Sequence, residues 1–322
     1  MPRRALVTAA AGALVTGCLA SCSASGGDRA SPGRGVAPQR VTASAGPRRS
    51  VYLGWSTALA EQVHRDHPGL SVDVLISSGS IENLLRLARR EAMLAVASTD
   101  AAAVGLRGLP PFGQPVDVMA MARVYDDYVH LMVRDDSAVT RLRDLAGLRV
   151  ATGPPGSGTA LVADRILADQ DLKVDRVVLD VVEAGLALQA RRLHAVFWLG
   201  GLPTRAVAEL AGRVRLRMLP LGDVAVRLRA RYAAAYRPAA IPASSYGQPG
   251  GVPTVASANL LLCRSGMAAE LVTAVLTTAF RRREAIAAAQ PAGNALDLRA
   301  AIATDPVPLH PAAVAYYRAG KP

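Results

Sequence analysis

Arg149-Val150-Ala151-Thr152-Gly153-Pro154-Pro155-Gly156-Ser157-Gly158-Thr159 leaves a short apolar run, turns on glycines and prolines, and enters an apolar-periodic segment. It reads as strand, tight loop and helix start. The three glycines let backbone N–H groups approach a ligand, while Ser157 or Thr159 can cap the helix and present a hydroxyl. Unpaired amides and the positive end of the helix dipole both favour a carboxylate or phosphate there. The Gly153 to Gly158 spacing also fits the opening of a nucleotide-binding P-loop, but that motif continues with Lys and then Ser or Thr. Here Thr159 and Ala160 follow, so the expectation is a neutral main-chain anion cradle, with a ligand-free helix start as the bland alternative.

Outward from this loop the elements alternate. Strands are expected over 41–43, 70–76, 93–97, 148–152, 177–181 and 194–199, and helices over 57–65, 81–90, 158–168, 183–192 and 203–210. Ser80 is placed to cap the second helix, with Asn83 reaching back to it. Two extended runs occupy 116–124 and 128–134, and Asp126-Asp127 between them reads as a solvated turn. Repeated strand–helix units imply an α/β fold with a mostly parallel sheet covered by helices on both faces, and ligands beyond the carboxyl ends of the strands.

Those carboxyl-end loops lie at 46–54, 77–80, 98–100, 153–159 and 200–204, and nearly all are Gly, Ser, Thr and Pro. A catalytic centre concentrates titratable groups at such points. Hydroxyls and bare amides favour binding over turnover, so no catalytic residue, metal or cofactor is assigned. The candidate ligand-binding residues are Ser50, Tyr52, Gly79, Ser80, Asn83, Asp100, Gly156, Ser157, Gly158, Thr159, Glu183 and Gly201. Glu183 opens a helix, where it complements the dipole or meets a ligand amine. His64 and His67 lack the partners of a zinc site, and His130 in its apolar run reads as a core histidine.

At the start of the chain, Arg3 and Arg4 precede an apolar stretch, 5–17, that is short for a membrane span. Leu19-Ala20-Ser21-Cys22 and Val15-Thr16-Gly17-Cys18 both resemble a lipoprotein cleavage box. Cys22 is the favoured lipidation site and Cys18 the alternative, beside an ordinary cleaved secretory signal. Residues 1–21 are thus read as a signal peptide and 22–40, rich in Ser, Gly, Ala, Pro and Arg, as a disordered tether. Cys263 is the one cysteine beyond the signal and reads as a small buried hydrophobe.

The net charge of +12 raises the question of nucleic acid, but aromatics are only 4% and do not interleave with the arginines, and no recognition motif is visible. Solvated helix faces and a positive field for anionic solutes account for the charge.

Taken together, several motifs resemble the TAXI-type solute-binding proteins of tripartite ATP-independent periplasmic (TRAP) transporters. Ser78-Gly79-Ser80-Ile81-Glu82-Asn83-Leu84 is similar to that family's helix start, Gly153 to Thr159 to its central loop, and Gly200-Gly201-Leu202-Pro203-Thr204 to its third loop. Ile241-Pro242-Ala243, Val252-Pro253-Thr254-Val255 and Pro308-Leu309-His310-Pro311 to Tyr316-Tyr317 resemble its C-terminal signatures. The likeness runs in order from about Val41 to the end. It departs at Gly46-Pro47-Arg48-Arg49-Ser50-Val51-Tyr52, where two arginines and one tyrosine stand in place of a glycine-rich stretch with two tyrosines.

The resemblance implies a two-lobe, type II periplasmic-binding-protein-like fold, with lobe 1 formed by 41–130 plus 250–322, lobe 2 by 131–249 and the ligand cleft between them. It implies an extracytoplasmic, lipid-anchored monomer that closes on a small organic anion, such as a glutamate-like amino acid or a carboxylate, and hands it to an integral membrane permease. No nucleic acid or cofactor enters. A binding lipoprotein of an ABC-type amino-acid importer is the runner-up. A secreted serine hydrolase using Ser157 or Ser80 is the third reading, against which Gly156-Ser157-Gly158 lacks the outer spacing of a nucleophile elbow.

Overall fold

The computed structural model describes residues 39–320. The signal peptide, both candidate lipidation cysteines and the tether up to residue 38 lie outside the described residues. Gln39 and Arg40, assigned from sequence to the tether, already pair in the first strand.

In chain order the first part runs β1 (Gln39–Ser44), α1 (Val51–Asp66), β2 (Leu70–Leu75), α2 (Ser80–Ala88), β3 (Leu94–Ser98), α3 (Thr99–Leu106) and β4 (Val118–Arg134). The middle part holds β5 (Arg149–Ala151), α4 (Gly158–Asp169), β6 (Asp175–Val177), α5 (Val181–Gln189), β7 (Ala195–Gly200), α6 (Arg205–Ala211), β8 (Leu216–Met218), α7 (Gly222–Tyr232) and β9 (Arg237–Ile241). β10 (Val252–Arg264), α8 (Ala269–Arg281), α9 (Arg283–Ala289) and α10 (Pro311–Ala319) complete it.

The strands form one sheet in the order β2-β1-β3-β10-β4-β7-β5-β6, with β8 on β4 and β9 on β10. Its two flanks, β2-β1-β3 and β7-β5-β6, are parallel, as strand–helix alternation requires. Between them β4 and β10 run antiparallel to each other and to their outer neighbours. These two long strands join the lobes: the C-terminal half of β10 pairs β3, while the C-terminal half of β4 pairs β7.

Side-chain alternation explains why both faces of each flank are covered. In β3, Leu94 and Val96 enter a core with Trp55 of α1 and Val275 of α8, while Ala95 and Ala97 enter another with Leu84 of α2 and Ala101 of α3. In β7, Phe197 and Leu199 face Ile166 of α4 and Leu228 of α7, whereas Val196 and Trp198 face Leu188 of α5 and Val207 of α6. Strands buried on both sides read as unbroken apolar runs, which is the pattern of 195–199. The result is the two-lobe, periplasmic-binding-protein-like α/β fold.

Three local expectations need correction. The expected turn at Asp126-Asp127 is instead the middle of one continuous strand, β4. Arg123 and Arg237 neutralise Asp126 there, and Tyr128, Asp127 and Asp126 pair with Ala256, Ser257 and Ala258 of β10, so the backbone stays extended. The loop assigned to 46–54 ends at Ser50, whose hydroxyl accepts from the Leu53 amide and starts α1. The strand assigned to 177–181 ends at Val177, because Asp180 turns the chain into α5 by capping the amides of Val182 and Glu183.

Candidate functional site

The start of α4 is built by its own loop. Ser157 is the N-cap: its hydroxyl accepts from the Ala160 amide at 3.0 Å and donates to the Pro154 carbonyl at 2.7 Å. Gly153 and Gly156 sit at φ +83° and +82°, a region that disfavours any side chain. A Cβ on Gly153 would lie 2.9 Å from the Thr159 side chain, and one on Gly156 would lie 2.9 Å from the Ser78 hydroxyl. Among the described residues, no acceptor pairs with the amides of Gly158 and Thr159, the first two of the helix. Both residues line a narrow pocket of about 20 Å³.

The opposite wall comes from the first lobe. Val51 and Tyr52, in the first turn of α1, and Ser78, Gly79 and Ser80, before and at the start of α2, line the same pocket. The Tyr52 hydroxyl donates to Oδ1 of Asn259 on β10 and lies 3.0 Å from the Ser80 hydroxyl, which also accepts from the Ser98 amide at 3.1 Å. Burial holds the Tyr52 phenol well above its ordinary pKa, so it stays protonated. The lobes touch around the pocket: the Glu82 amide donates to the Gly156 carbonyl at 3.0 Å. Asp100 takes the Tyr236 hydroxyl at 2.6 Å and lies 3.6 Å from the Arg165 guanidinium of α4.

Seven of the twelve candidate residues line this pocket: Ser50, Tyr52, Gly79 and Ser80 on one side, and Ser157, Gly158 and Thr159 on the other. Their roles differ from expectation. Ser157 uses its proton on Pro154, so it shapes the loop and has none left for an anion. Thr159 Oγ1 accepts from the Leu199 amide and keeps its proton free to give.

Five candidates stand elsewhere. Asn83 does not cap α2: its Oδ1 accepts from the hydroxyls of Ser44 and Ser77, and its Nδ2 donates to the carbonyls of Ala45 and Val96. The N-cap position is Gly79, whose φ of +130° suits glycine. Asp100 is fully buried on Ser98, Ala101 and Tyr236. Gly156 packs against Ser78, and Gly201 against Val51, just behind the wall. Glu183 is exposed and caps its own helix with Asp180, away from the pocket. Of the two arginines in the first loop, Arg48 is exposed and Arg49 reaches Glu209 of α6.

Sequence reading missed Asp127, Trp198, Leu199 and Gly200, all of which line the pocket. Asp127 is 1% exposed, and its Oδ1 meets no donor among the described residues. Burial pushes its carboxyl up to about 7, with Asp126 and Asp100 adding to the rise and Asn259 and Tyr52 opposing it. The signal that could have found it is the doublet itself, since a strand alternating inward and outward must bury one of two adjacent carboxylates.

No group of three or more His, Cys, Asp or Glu side chains able to hold a metal occurs among the described residues. No helix among them is long and apolar enough to cross a membrane. His130 is buried with its pKa lowered to about 4 by desolvation, and Cys263 is buried with its thiol pushed up to about 12.

Solved structures share the architecture. MatC from Rhodopseudomonas palustris with bound malate gives a TM-score of 0.54 at 16% identity, over 81% of this chain and 91% of that one. The periplasmic aliphatic sulphonate binding protein SsuA from Escherichia coli gives 0.50 at 14% identity, over 89% and 84%. At such identities the likeness establishes the fold. The NMT1-like family model matches residues 42–319, nearly the whole described chain, and the protein therefore belongs to the NMT1-like family.

Proposed function

We propose that this protein is an extracytoplasmic solute-binding protein that encloses a small organic carboxylate between its lobes and delivers it unchanged to a membrane permease of the TRAP type. The lobes divide as 41–130 with 250–322, and 131–249; lipid on Cys22, or on Cys18, holds the protein at the outer face of the cytoplasmic membrane. One observation carries the reading: two unclaimed helix-start amides, Gly158 and Thr159, open into a pocket walled by both lobes. Among the described residues no Lys or Arg lines that pocket, so the positive end of α4 and its amides supply the attraction for a negative group. Each hydrogen bond to a charged ligand group contributes about 1.5–3 kcal/mol. The malate of MatC and the sulphonates of SsuA are anions held by the same fold, which agrees with this choice.

The same inventory supports binding without turnover. Ser157 is a cap, Ser80 is held among Tyr52 and Ser98, and no histidine among the described residues lines the pocket.

Thermal melting against a panel of organic carboxylates, amines and neutral sugars tests the proposal. A carboxylate at 100 times its dissociation constant should add about 2.7 kcal/mol of stability, and a panel in which no carboxylate raises the melting point contradicts it. Uptake of that carboxylate should be lost when the TRAP-type permease genes are deleted; loss on deleting an ABC-type permease instead reassigns the partner.

A further inference from the structure

The C-terminal part of the chain holds a second space that shares no residue with the inter-lobe pocket. It is a groove of about 710 Å³ between the turn at 297–302 and α10. Leu298 and Ile302, 43% and 49% exposed, line it from the turn; Val314 and Tyr317 line it from α10, and Leu309 from the segment before that helix. Tyr317 gives its hydroxyl to the Met121 carbonyl at 2.9 Å, so it offers the groove a ring and no donor. Small-molecule pockets span about 300–1,000 Å³ and are mostly apolar with a few polar groups, and this groove has that size and lining.

Hydrogen bonds to β4 pin both walls. The Arg123 amide donates to the Ala301 carbonyl at 2.8 Å and fixes the turn. The Ala120 amide donates to the Pro308 carbonyl at 2.9 Å, and the Ala120 carbonyl accepts from the His310 amide at 2.8 Å, which fixes the approach to α10. The turn is thus held from folding onto the helix, and its apolar side chains stay in water unless a ligand covers them. Charge decides which ligand. Arg299 and Arg318 line the groove against one acid, Asp297, whose Oδ1 already accepts from the amides of Arg299 and Ala300. Arg281 and Arg282 are spent on Asp66, whereas neither Arg299 nor Arg318 has a carboxylate within 4.0 Å among the described residues.

We propose that this groove binds a fatty-acid-like anion, its hydrocarbon chain against Leu298, Ile302, Leu309 and Val314 and its carboxylate on Arg299 and Arg318. A guanidinium takes a carboxylate through two parallel hydrogen bonds, and each methylene removed from water adds to the binding. A single chain reaches the buried ring of Tyr317, whereas a flat membrane surface meets only the exposed Leu298 and Ile302. The inference stands apart from the inter-lobe site and does not depend on it.

Titration calorimetry on the full chain with hexanoate, octanoate, decanoate and decanol, all below micelle formation, tests it. Affinity should rise by about four-fold for each methylene added to the acid, and decanoate should bind about ten-fold tighter or more than decanol. Ile302→Glu, at an exposed position, should abolish decanoate binding with the melting temperature unchanged. Arg299→Gln with Arg318→Gln should erase the preference for the acid while leaving decanol within about three-fold of wild type. Affinity that does not grow with chain length, or decanoate binding that survives Ile302→Glu, overturns the inference and leaves the inter-lobe reading untouched. Two further results overturn it in favour of another occupant. Binding to phosphatidylglycerol vesicles without binding of monomeric decanoate gives the groove to a membrane surface, and self-association in sedimentation that Ile302→Glu abolishes, again without decanoate binding, gives it to a second copy of the chain.

Discussion

Asn83 sits one helical turn from the pocket, yet its four side-chain hydrogen bonds all go to the first lobe's own frame. Its sequence context, just after Ser80, pointed to a helix cap. The residue instead ties β1, the loop after β2 and β3 to α2, a junction that only tertiary packing creates. Asn83→Ala would leave two hydroxyls and two carbonyls short of a partner, at about 1–3 kcal/mol for each group not rescued by water. Urea unfolding should therefore show a loss of about 3 kcal/mol or more, whereas a ligand-contact role predicts weaker binding at unchanged stability. Asp127 carries the opposite lesson. Its neighbour Asp126 made the pair look like a solvated turn, and nothing local marks which carboxylate the hinge strands bury.

Asp66, at the end of α1, shows charge used for stability alone. Arg282 and Arg281 hold its carboxyl at about 2, below its ordinary 3.8, with Thr278 adding a hydroxyl. A lowered carboxyl contributes stability that is fully present above its unfolded pKa and fades as pH falls through the folded one. Wild type should therefore melt above Asp66→Asn at pH 5 and above, and the gap should close as the pH approaches 2. A gap that stays constant across that range would mean that the arginines contribute nothing through ionisation.

At the scale of elements, α4 was the part of the site most legible in the sequence. Glycines at positions that take positive φ, a serine before the first helical residue and an apolar period after it are all local signals, and the structure assembles them as expected. The role of the Ser157 hydroxyl was not legible, since a cap and a ligand donor look alike in sequence. Ser157→Ala should cost about 1 kcal/mol of unfolding free energy through loss of the cap. The change in ligand affinity should stay small, because the amides rather than the hydroxyl make the contact. A large affinity loss at unchanged stability would return Ser157 to the contact set. The start of α1 escaped notice for a related reason: Gly54 and the arginines before Ser50 resemble loop, and only the hydroxyl bond to Leu53 shows where the helix begins.

At the scale of the whole molecule, alternation of strand and helix was enough to indicate two parallel half-sheets, because that pattern is repeated and local. The long antiparallel pair that joins them was less visible. β4 looked like two strands, and its partner β10 lies more than a hundred residues away in sequence. The lobes meet across Glu82–Gly156, Asp100–Arg165 and Arg49–Glu209, and β4 and β10 run from one lobe to the other. The Arg49 pair is partly exposed and contributes little by itself, whereas the Asp100–Arg165 contact is largely buried.

The central claim is that a ligand's negative group sits on the first amides of α4 inside the inter-lobe pocket. Amide proton shifts of ¹⁵N-labelled protein, followed as the carboxylate selected by thermal melting is added, test it most directly. Gly158 and Thr159 should move strongly downfield and saturate at the dissociation constant measured by calorimetry; binding that leaves both amides where they are would contradict it.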